Sequence, residues 1–330
     1  MFRWEWTGLG EGGCCGAPGT GAKARETAFT RSALSVPSAP ADEQAALRAQ
    51  LLAIPPGIYE MGTRHSTYSG DLDSPRRKVK VAPFLIGQTT VTNAQYARFV
   101  AATGYRTVAE QEGWSFVFHL LLPGGGKGTI SAPGLRWWRK VEGACWHMPE
   151  GPGSDWQTAR ADHPVVQVCW YDALAYVTWA GLRLPREAEW ERAARGGKAR
   201  LKFPWGNALV PVDGHRMNTW QGDFPDHDTA EDGFAGTAPA RSYAPNGYGL
   251  YNCTGNVWEW VADRYGPRPA PGRMPELDPT GPGQGHARIQ RGGSFLCHDS
   301  YCDRYHVHSR TRNDPDSATS NVGFRVGASM

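Results

Sequence analysis

The sequence of 330 residues contains no uninterrupted apolar stretch of about 18 residues, the length that indicates a membrane-spanning helix. Its N-terminus also lacks the basic segment followed by an apolar segment that is typical of a secretory signal. The seven cysteines form a small, odd set, whereas disulfide-stapled secreted domains usually carry a denser and even-numbered set. These absences predict a protein without membrane association that resides in a reducing cytoplasm.

A strong charge bias is also missing. The 35 basic and 32 acidic side chains leave a formal net charge of +3, and residues 74–81 form the one dense basic cluster. Because nucleic-acid-binding domains normally carry a basic stripe, we expect no nucleic-acid partner. The 41 glycines and 25 prolines, together with 14 tryptophans, predict an ordered, loop-rich fold with large aromatic anchors.

The chain is predicted to contain one domain. Residues 1–45, whose first part is rich in Gly, Ala, Ser and Pro, are interpreted as a disordered leader, and residues 46–330 as the folded domain. Regular patterns are short: residues 41–54 and 171–180 have helical patterns, and residues 78–92 alternate like a hairpin.

Two segments are rich in side-chain oxygens. Residues 217–237 carry six Asn, Asp or Glu side chains among glycines, and residues 248–263 carry Asn252, Asn256 and Glu259. Calcium takes six to eight oxygen ligands, many of them backbone carbonyls of tight loops, but the spacing here is not that of an EF-hand. From the residues alone, a solvated acidic loop is favoured for the first segment. A core strand with a buried, hydrogen-bonded glutamate is the simpler interpretation of the second.

The segment "RGGSFLCHDSYCDRY", residues 291–305, holds two cysteines separated by four residues. Cys297 and Cys302 could form a disulfide across the loop, although an intracellular disulfide is more often transient or catalytic. They could bind zinc with His306 and His308, although the spacing is unusual for such a site. They could also act as soft thiolates that bind Cu(I) or perform redox chemistry. The spacing does not separate these three interpretations.

Seven sequence motifs resemble those of a known protein family. They are, in chain order, "GLRLPREAEWERAARGG", "FPWGN", "EDGFAGTAPA", "GLYNCTGNVWEW", "RGGSF", "CHDSYCDRY" and "SNVGFRV". Their order resembles the formylglycine-generating enzymes, also called sulfatase-modifying factors, over about residues 52–327. Several motifs are shared by proteins that have only the fold in common with this family. The paired cysteines of "CHDSYC" are the feature that marks the formylglycine generators among them.

The resemblance implies a fold and an activity. The fold is a compact mixed α/β (α+β) domain, related to C-type lectins, with little regular secondary structure. The bacterial type is implied because the extra structural cysteines of the secreted relatives have no evident counterparts here, and we expect a monomer. The implied reaction is the copper-dependent oxidation of the cysteine in a Cys-x-Pro-x-Arg motif of an unfolded sulfatase to Cα-formylglycine, with O2 and a thiol reductant. The alternative is a non-catalytic binding module on the same lectin-like fold.

The resemblance also implies the catalytic residues. Cys297 and Cys302 would be the active pair that binds Cu(I), and Ser294, Tyr301 and Trp258 would line the pocket for oxygen and substrate. In a second version of the mechanism, Cys302 forms a mixed disulfide with the substrate and Cys297 activates oxygen. The sequence leaves both versions open.

Two structural calcium ions are implied as well, which reverses the preference drawn from the residues alone. The first site would use Asn218, Thr219, Asp232 and Phe234, with the Thr and Phe acting through backbone carbonyls. The second site would use Asn252, Gly255, Val257 and Glu259. On this interpretation His306 and His308 are ordinary strand residues.

Overall fold

The computed structural model describes residues 20–330, so residues 1–19 of the predicted leader, with Cys14 and Cys15, lie outside the described part. Its helices are α1 (Thr20–Leu34), α2 (Ala41–Ala49), α3 (Asn93–Thr103), α4 (Val108–Glu112), α5 (Trp170–Trp179) and α6 (Glu187–Ala194). None of the helices in this part of the chain is both long enough and apolar enough to span a membrane.

The strands are short and are distributed over small sheets. They are β1 (Leu51–Ile54), β2 (Gly57–Met61), β3 (Arg77–Val81), β4 (Phe84–Gly87), β5 (Trp114–Phe118), β6 (Ile130–Ala132), β7 (Leu135–Glu142), β8 (Gly222–Asp223), β9 (His227–Asp228), β10 (Trp258–Arg264), β11 (Glu276–Leu277), β12 (Arg288–Arg291), β13 (Arg310–Asn313), β14 (Val322–Phe324) and β15 (Gly327–Ser329). They pair in the orders β1-β4-β15, β13-β12-β10-β14, β11-β3-β2, β5-β7-β6 and β8-β9. The low content of regular structure and the mixed α/β class agree with the prediction.

The predicted helix over residues 171–180 is confirmed as α5, shifted by one residue. Eight of its ten residues are buried, because α5 runs through the main apolar core rather than along the surface. Asp172 accepts a hydrogen bond from the backbone N–H of Cys169, which satisfies one of the donors at the helix start.

Two predicted elements are wrong in part. The helical pattern of residues 41–54 becomes α2 and then β1, since residues 51–54 pair with β4 and complete a three-stranded sheet. Strands β3 and β4 form as the alternation predicts but do not make a hairpin, because they join different sheets. Long-range strand pairing, which local pattern does not encode, decides both outcomes.

A helix replaces disorder in part of the predicted leader. Helix α1 packs on α5, where the ring of Phe29 lies 5.5 Å from that of Tyr171 and Ala33 is fully buried. Arg25 forms an ion pair with Asp316 at 3.0 Å. The polar, small-residue composition of this segment gave no indication of these few apolar contacts. The predicted domain boundary at residue 46 stays a prediction.

The two faces of the sheet β13-β12-β10-β14 carry different kinds of residues. Trp260 of β10 pairs with Gln290 of β12, which in turn pairs with Thr311 of β13. The neighbouring pair, Glu259 and Arg291, therefore points to the other face. One face thus builds the apolar core and a pocket, and the other face holds buried charges beneath α6.

Candidate functional site

The two cysteines lie side by side in the loop that follows β12. Gly292 and Gly293 have φ values of 97° and 76°, and a Cβ on Gly293 would come within 2.9 Å of the backbone of Tyr305. This turn directs the loop inward, and Sγ of Cys297 lies 3.4 Å from Sγ of Cys302. A disulfide bond measures about 2.05 Å, so the pair consists of two reduced thiols. Both side chains are buried, with 1% and 9% exposure.

The surroundings of the two sulfurs differ. The backbone N–H of Ser294 donates to Sγ of Cys297 at 3.3 Å, and Arg304 approaches Sγ of Cys302 at 3.8 Å. The Arg304 guanidinium donates twice to the Asp71 carboxylate, at 2.6 and 3.0 Å, and lies 3.6 Å from the ring centre of Tyr68. These contacts fix the cation beside Cys302 without leaving an unbalanced buried charge.

The pKa values of the pair separate accordingly. The hydrogen bond from Cys297 and the nearby charge of Arg304 lower the pKa of the Cys302 thiol to about 7, although burial opposes the shift. Burial, and then the neighbouring Cys302 sulfur, raise the pKa of the Cys297 thiol. The pair can therefore hold one negative charge near neutral pH, on Cys302, with Cys297 as the hydrogen-bond donor.

All five predicted catalytic residues line one pocket. Cys297, Cys302, Ser294, Tyr301 and Trp258 line a small pocket of about 70 Å³ that is partly open to solvent. The sequence places them in two segments, and the sheet and the cysteine loop bring the segments together. The structure therefore brings the five residues to one pocket, with both sulfurs in its wall.

Ser294 and Tyr301 are held by specific neighbours. The Ser294 hydroxyl accepts a hydrogen bond from Nδ2 of Asn321 at 2.9 Å. The ring of Tyr301 stacks on Phe224 at 4.4 Å and meets the edge of Trp137 at 5.1 Å. These contacts give both side chains defined orientations toward the sulfurs.

Sequence reasoning missed the Arg304–Asp71 pair. Arg304 stands two residues after Cys302, inside the quoted motif, and that proximity is a usable signal for a charge near the sulfur. Asp71 comes from a single 3-10 turn, Ser69–Asp71, that is 233 residues away in sequence, so no local pattern pointed to it.

The structure does not support a zinc site at the cysteine loop. His306 and His308 lie in a turn rather than in the expected strand, and their rings stack on each other at 5.2 Å. Across residues 20–330, no group of three or more His, Cys, Asp or Glu side chains is arranged to hold a metal ion. Structural zinc normally needs four such ligands.

The first predicted calcium site contains one buried oxygen without a partner among the described residues. Asn218 is fully buried, and its Oδ1 has no hydrogen-bond partner within the described residues. The Asp232 carboxylate accepts from the backbone N–H groups of Thr219 at 2.7 Å and Phe234 at 3.0 Å. Nε2 of Gln221 contacts both the Asp232 carboxylate and the Thr219 carbonyl, so these two oxygens face a common donor. The oxygens suit a hard cation.

The second predicted calcium site fits in part. Oδ1 of Asn252 is buried and has no partner in the part of the chain that is described. Glu259 is fully buried, but Arg325 binds its two oxygens at 2.9 and 3.0 Å, and Nε1 of Trp190 donates at 2.7 Å. Asn252 therefore offers a free oxygen, whereas Arg325 already balances the charge of Glu259.

The two predicted calcium sites share backbone contacts. Gly255 has a φ of 72°, and a Cβ there would lie 2.4 Å from the Asn218 carbonyl oxygen. The next residue, Asn256, donates its backbone N–H to the same carbonyl at 2.8 Å. Val257 follows as a buried residue. The glycine is required by this close approach, and the loops are coupled with or without an ion.

Together these features define a mixed α/β protein whose buried, reduced dithiol opens into a pocket, a site suited to redox or soft-metal chemistry. The chain belongs to the sulfatase-modifying factor family, because residues 37–329 match the model of the sulfatase-modifying factor enzyme 1-like domain. It is similar to the formylglycine-generating enzyme of Thermomonospora curvata, with 53% identity over 282 residues that cover 84% of this chain and 93% of the relative.

Other similar proteins show that this fold also occurs without the activity named for the first relative. The chain is also 43% identical to a Bos taurus protein named inactive C-alpha-formylglycine-generating enzyme 2, over 84% of this chain and 87% of the relative. The structure of PvdO from Pseudomonas aeruginosa matches with a TM-score of 0.57 at 22% identity, covering 85% and 94% of the two chains. That likeness confirms the fold class. Family membership by itself does not establish catalysis, so the residues of the site must carry the functional argument.

Proposed function

We propose that this protein oxidises the cysteine of a Cys-x-Pro-x-Arg motif in an unfolded sulfatase to Cα-formylglycine, using O2 and a thiol reductant. The observation that supports this proposal most directly is the reduced dithiol of Cys297 and Cys302, with sulfurs 3.4 Å apart in the wall of a pocket. We also propose that the protein acts as a monomer in the cytoplasm, where the reducing environment keeps these thiols free.

The donor set at the cysteine pair fits Cu(I). Two sulfurs lie within contact distance, and the lowered pKa of Cys302 makes one of them anionic near neutral pH. Thiolates select Cu(I) over hard ions such as calcium. Cys297 and Cys302 would hold the ion, which when bound supplies one-electron redox chemistry toward O2.

The residues of the chain have separate roles in this proposal. Arg304 holds negative charge on the Cys302 sulfur, because its guanidinium is fixed by Asp71 and cannot swing away. Trp258 and Tyr301 present aromatic surface that limits water in the pocket and positions the substrate segment. Four electrons reduce O2 in the overall reaction: two come from the thiol-bearing carbon of the substrate cysteine and two from the reductant. The products are the aldehyde, hydrogen sulfide, one water and the disulfide of the thiol reductant.

The first prediction tests turnover directly. Reduced, Cu(I)-loaded protein should convert a peptide with Cys-x-Pro-x-Arg in air to a product lighter by about 18 Da, since this metal-assisted oxidation removes the elements of hydrogen sulfide and adds one oxygen atom. Mass spectrometry measures the change, and a peptide with Ser in place of Cys is the control. An unchanged mass under copper-replete, reducing conditions contradicts the proposal. Peptide binding without any mass change would instead support the alternative of a non-catalytic binding module.

We further propose structural calcium at the two predicted sites, with the orphaned oxygens of Asn218 and Asn252 as support. A ligand that binds only the folded state at about 100 times its dissociation constant adds about 2.7 kcal/mol of stability. For a domain of this size we expect calcium to raise the melting temperature by about 5 °C over that in a chelator.

The calcium prediction has a matched pair of variants. Asp232→Asn should remove much of the calcium-dependent rise, because it neutralises the carboxylate of the first site. Asp223→Asn should keep the rise, since Asp223 is an exposed acidic residue of the same loop outside the predicted ligands. Equal melting curves with calcium and with chelator in the wild type contradict both sites.

A further inference from the structure

A loop from the first third of the chain, residues 62–74, reaches the cysteine site. Its two ends lie close together, because the backbone N–H of Thr63 donates to the Asp73 carbonyl at 2.9 Å. The Ser74 hydroxyl also donates to the Arg64 carbonyl at 2.9 Å. Compact loops of this length with closed ends are frequently functional. The closed ends restrict the positions that the tip of the loop can take.

The tip of this loop is fixed to a wall of the pocket. The Gly70 carbonyl accepts a hydrogen bond from the Arg312 guanidinium at 3.3 Å. The Leu72 carbonyl accepts one from the Arg310 guanidinium at 3.2 Å. Both arginines belong to β13, a strand that also lines the pocket of the two cysteines. The loop therefore packs against the candidate site.

The tip holds the Arg304 guanidinium by one edge and one face. Nε and Nη2 donate to the two oxygens of the Asp71 carboxylate at 2.6 and 3.0 Å, and the ring centre of Tyr68 lies 3.6 Å from the guanidinium carbon. A bidentate ion pair fixes the orientation of a guanidinium as well as its position. The remaining nitrogen, Nη1, lies 3.8 Å from Sγ of Cys302. The contacts of the loop thus turn one N–H group of Arg304 toward the sulfur.

Stability alone is a weak reason for this arrangement. Asp71 and Arg304 are 7% and 5% exposed, and a buried ion pair seldom adds net stability over apolar side chains of similar volume. A cation beside Cys302, in contrast, stabilises negative charge on the sulfur. Two thiolates that hold one monovalent copper ion still carry one net negative charge, so the same cation also favours the loaded pair.

We propose that Tyr68 and Asp71 are positioning residues that clamp Arg304 so that its Nη1 faces the sulfur of Cys302. The proposal rests on the proposed function, since it takes the two thiols to be the ligands of Cu(I). It assigns part of the site to a loop that is more than 200 residues away from the cysteines in sequence.

Variants of the ion pair separate orientation from charge. Arg304→Lys keeps the positive charge but cannot bind a carboxylate with a planar pair of N–H groups, and Asp71→Asn removes the partner of that pair. We expect each variant to lower the Cu(I) affinity, measured by competition with a chromophoric chelator, by about tenfold. Asp71→Asn should lower kcat by a similar factor and leave KM for the Cys-x-Pro-x-Arg peptide within about twofold, since Asp71 is outside the residues that line the pocket.

Variants of the aromatic ring test the second contact of the clamp. Tyr68→Phe keeps the ring face over the guanidinium and should bind Cu(I) like the wild type. Tyr68→Leu removes that face and should lower the Cu(I) affinity by about three- to tenfold. This pair also decides the matter if Asp71→Asn does not fold, because Tyr68 is only half-buried.

Two controls distinguish positioning from a structural role. Glu187→Gln breaks a buried ion pair outside the pocket lining, so it should lower the melting temperature without changing the Cu(I) affinity. In an Arg304→Gln background, Asp71→Asn should have no further effect on the Cu(I) affinity, because it acts only through Arg304.

Three results overturn the assignment while the proposed function stands. They are wild-type Cu(I) affinity in Arg304→Lys, wild-type affinity in both Asp71→Asn and Tyr68→Leu, and an undiminished effect of Asp71→Asn in the Arg304→Gln background. If the wild type neither binds Cu(I) nor converts the peptide, the proposed function fails and the assignment fails with it.

Discussion

Cys297→Ser and Cys302→Ser should each lower turnover of the Cys-x-Pro-x-Arg peptide by more than about a thousandfold. Loss of a group that merely supports a metal ligand typically costs about 10- to 100-fold, and loss of the ligand itself costs more. Serine matches cysteine in shape but offers a hard, protonated hydroxyl in place of a soft thiolate. The fold should survive, because the two sulfurs pack against the pocket rather than joining two parts of the chain.

Turnover by mass spectrometry, Cu(I) affinity by competition and thermal melting together check this expectation. Cys145→Ser is the matched control, since Cys145 is a buried free thiol outside the residues that line the pocket. It should keep turnover within a few-fold of the wild type and keep Cu(I) binding. Near wild-type turnover in either active-pair variant contradicts the assignment of the dithiol as the metal-binding pair.

The same variants separate the two versions of the mechanism. If Cys302 exchanges disulfides with substrate, metal-free Cys297→Ser should accumulate a peptide linked to Cys302 under mild oxidation. If the sulfurs only hold the metal, no such adduct should form at a rate that matches turnover. The lowered pKa of Cys302 is compatible with both roles, because a thiolate is both the metal ligand and the nucleophile in disulfide exchange.

The residues of the candidate site could be predicted where they lie in one short sequence motif, and could not be predicted where they come from distant parts of the chain. The motif around Cys297 and Cys302 singled out the loop in which the two sulfurs meet, but only the three-dimensional arrangement shows that they lie 3.4 Å apart and that Arg304 is close to one of them. Asp71, which fixes that cation, is too distant in sequence to be found without the fold.

The elements of the fold could likewise be predicted where they depend on neighbouring residues and not where they depend on distant ones. Helix α5 was predictable because its apolar residues and first-turn aspartate are contiguous. Strand β1 was not, because its conformation depends on β4, which also pairs with β15 from the other end of the chain. Helix α1 was missed for a related reason: its stability comes from the surface of α5 rather than from its own composition.

Glu187→Gln should lower the free energy of unfolding by about 3–5 kcal/mol, the typical cost of breaking a buried ion pair from one side. The Glu187 carboxylate is 2% exposed and contacts Arg291 at 2.9 Å, Arg310 at 2.8 Å and Arg268. Because this carboxylate lies between α6 and the charged face of the four-stranded sheet, its loss leaves several buried guanidinium groups short of a counter-charge. Urea unfolding at neutral pH measures the difference.

The pH dependence of this difference distinguishes charge from shape. Burial raises the pKa of Glu187, but the charges of Arg268, Arg310 and Arg291 outweigh it and lower the pKa from 4.5 to about 2. A carboxyl with a depressed folded pKa adds stability above its unfolded pKa and loses that contribution as the pH falls through the folded pKa. The gap between wild type and Glu187→Gln should therefore be full above about pH 5 and narrow steadily toward pH 2. Glu142→Gln is the control, since Glu142 is exposed and its pair with Lys140 should contribute less than about 1 kcal/mol. A gap that stays constant from pH 6 to pH 3 would show that packing, and not the charge of Glu187, holds α6 against the sheet.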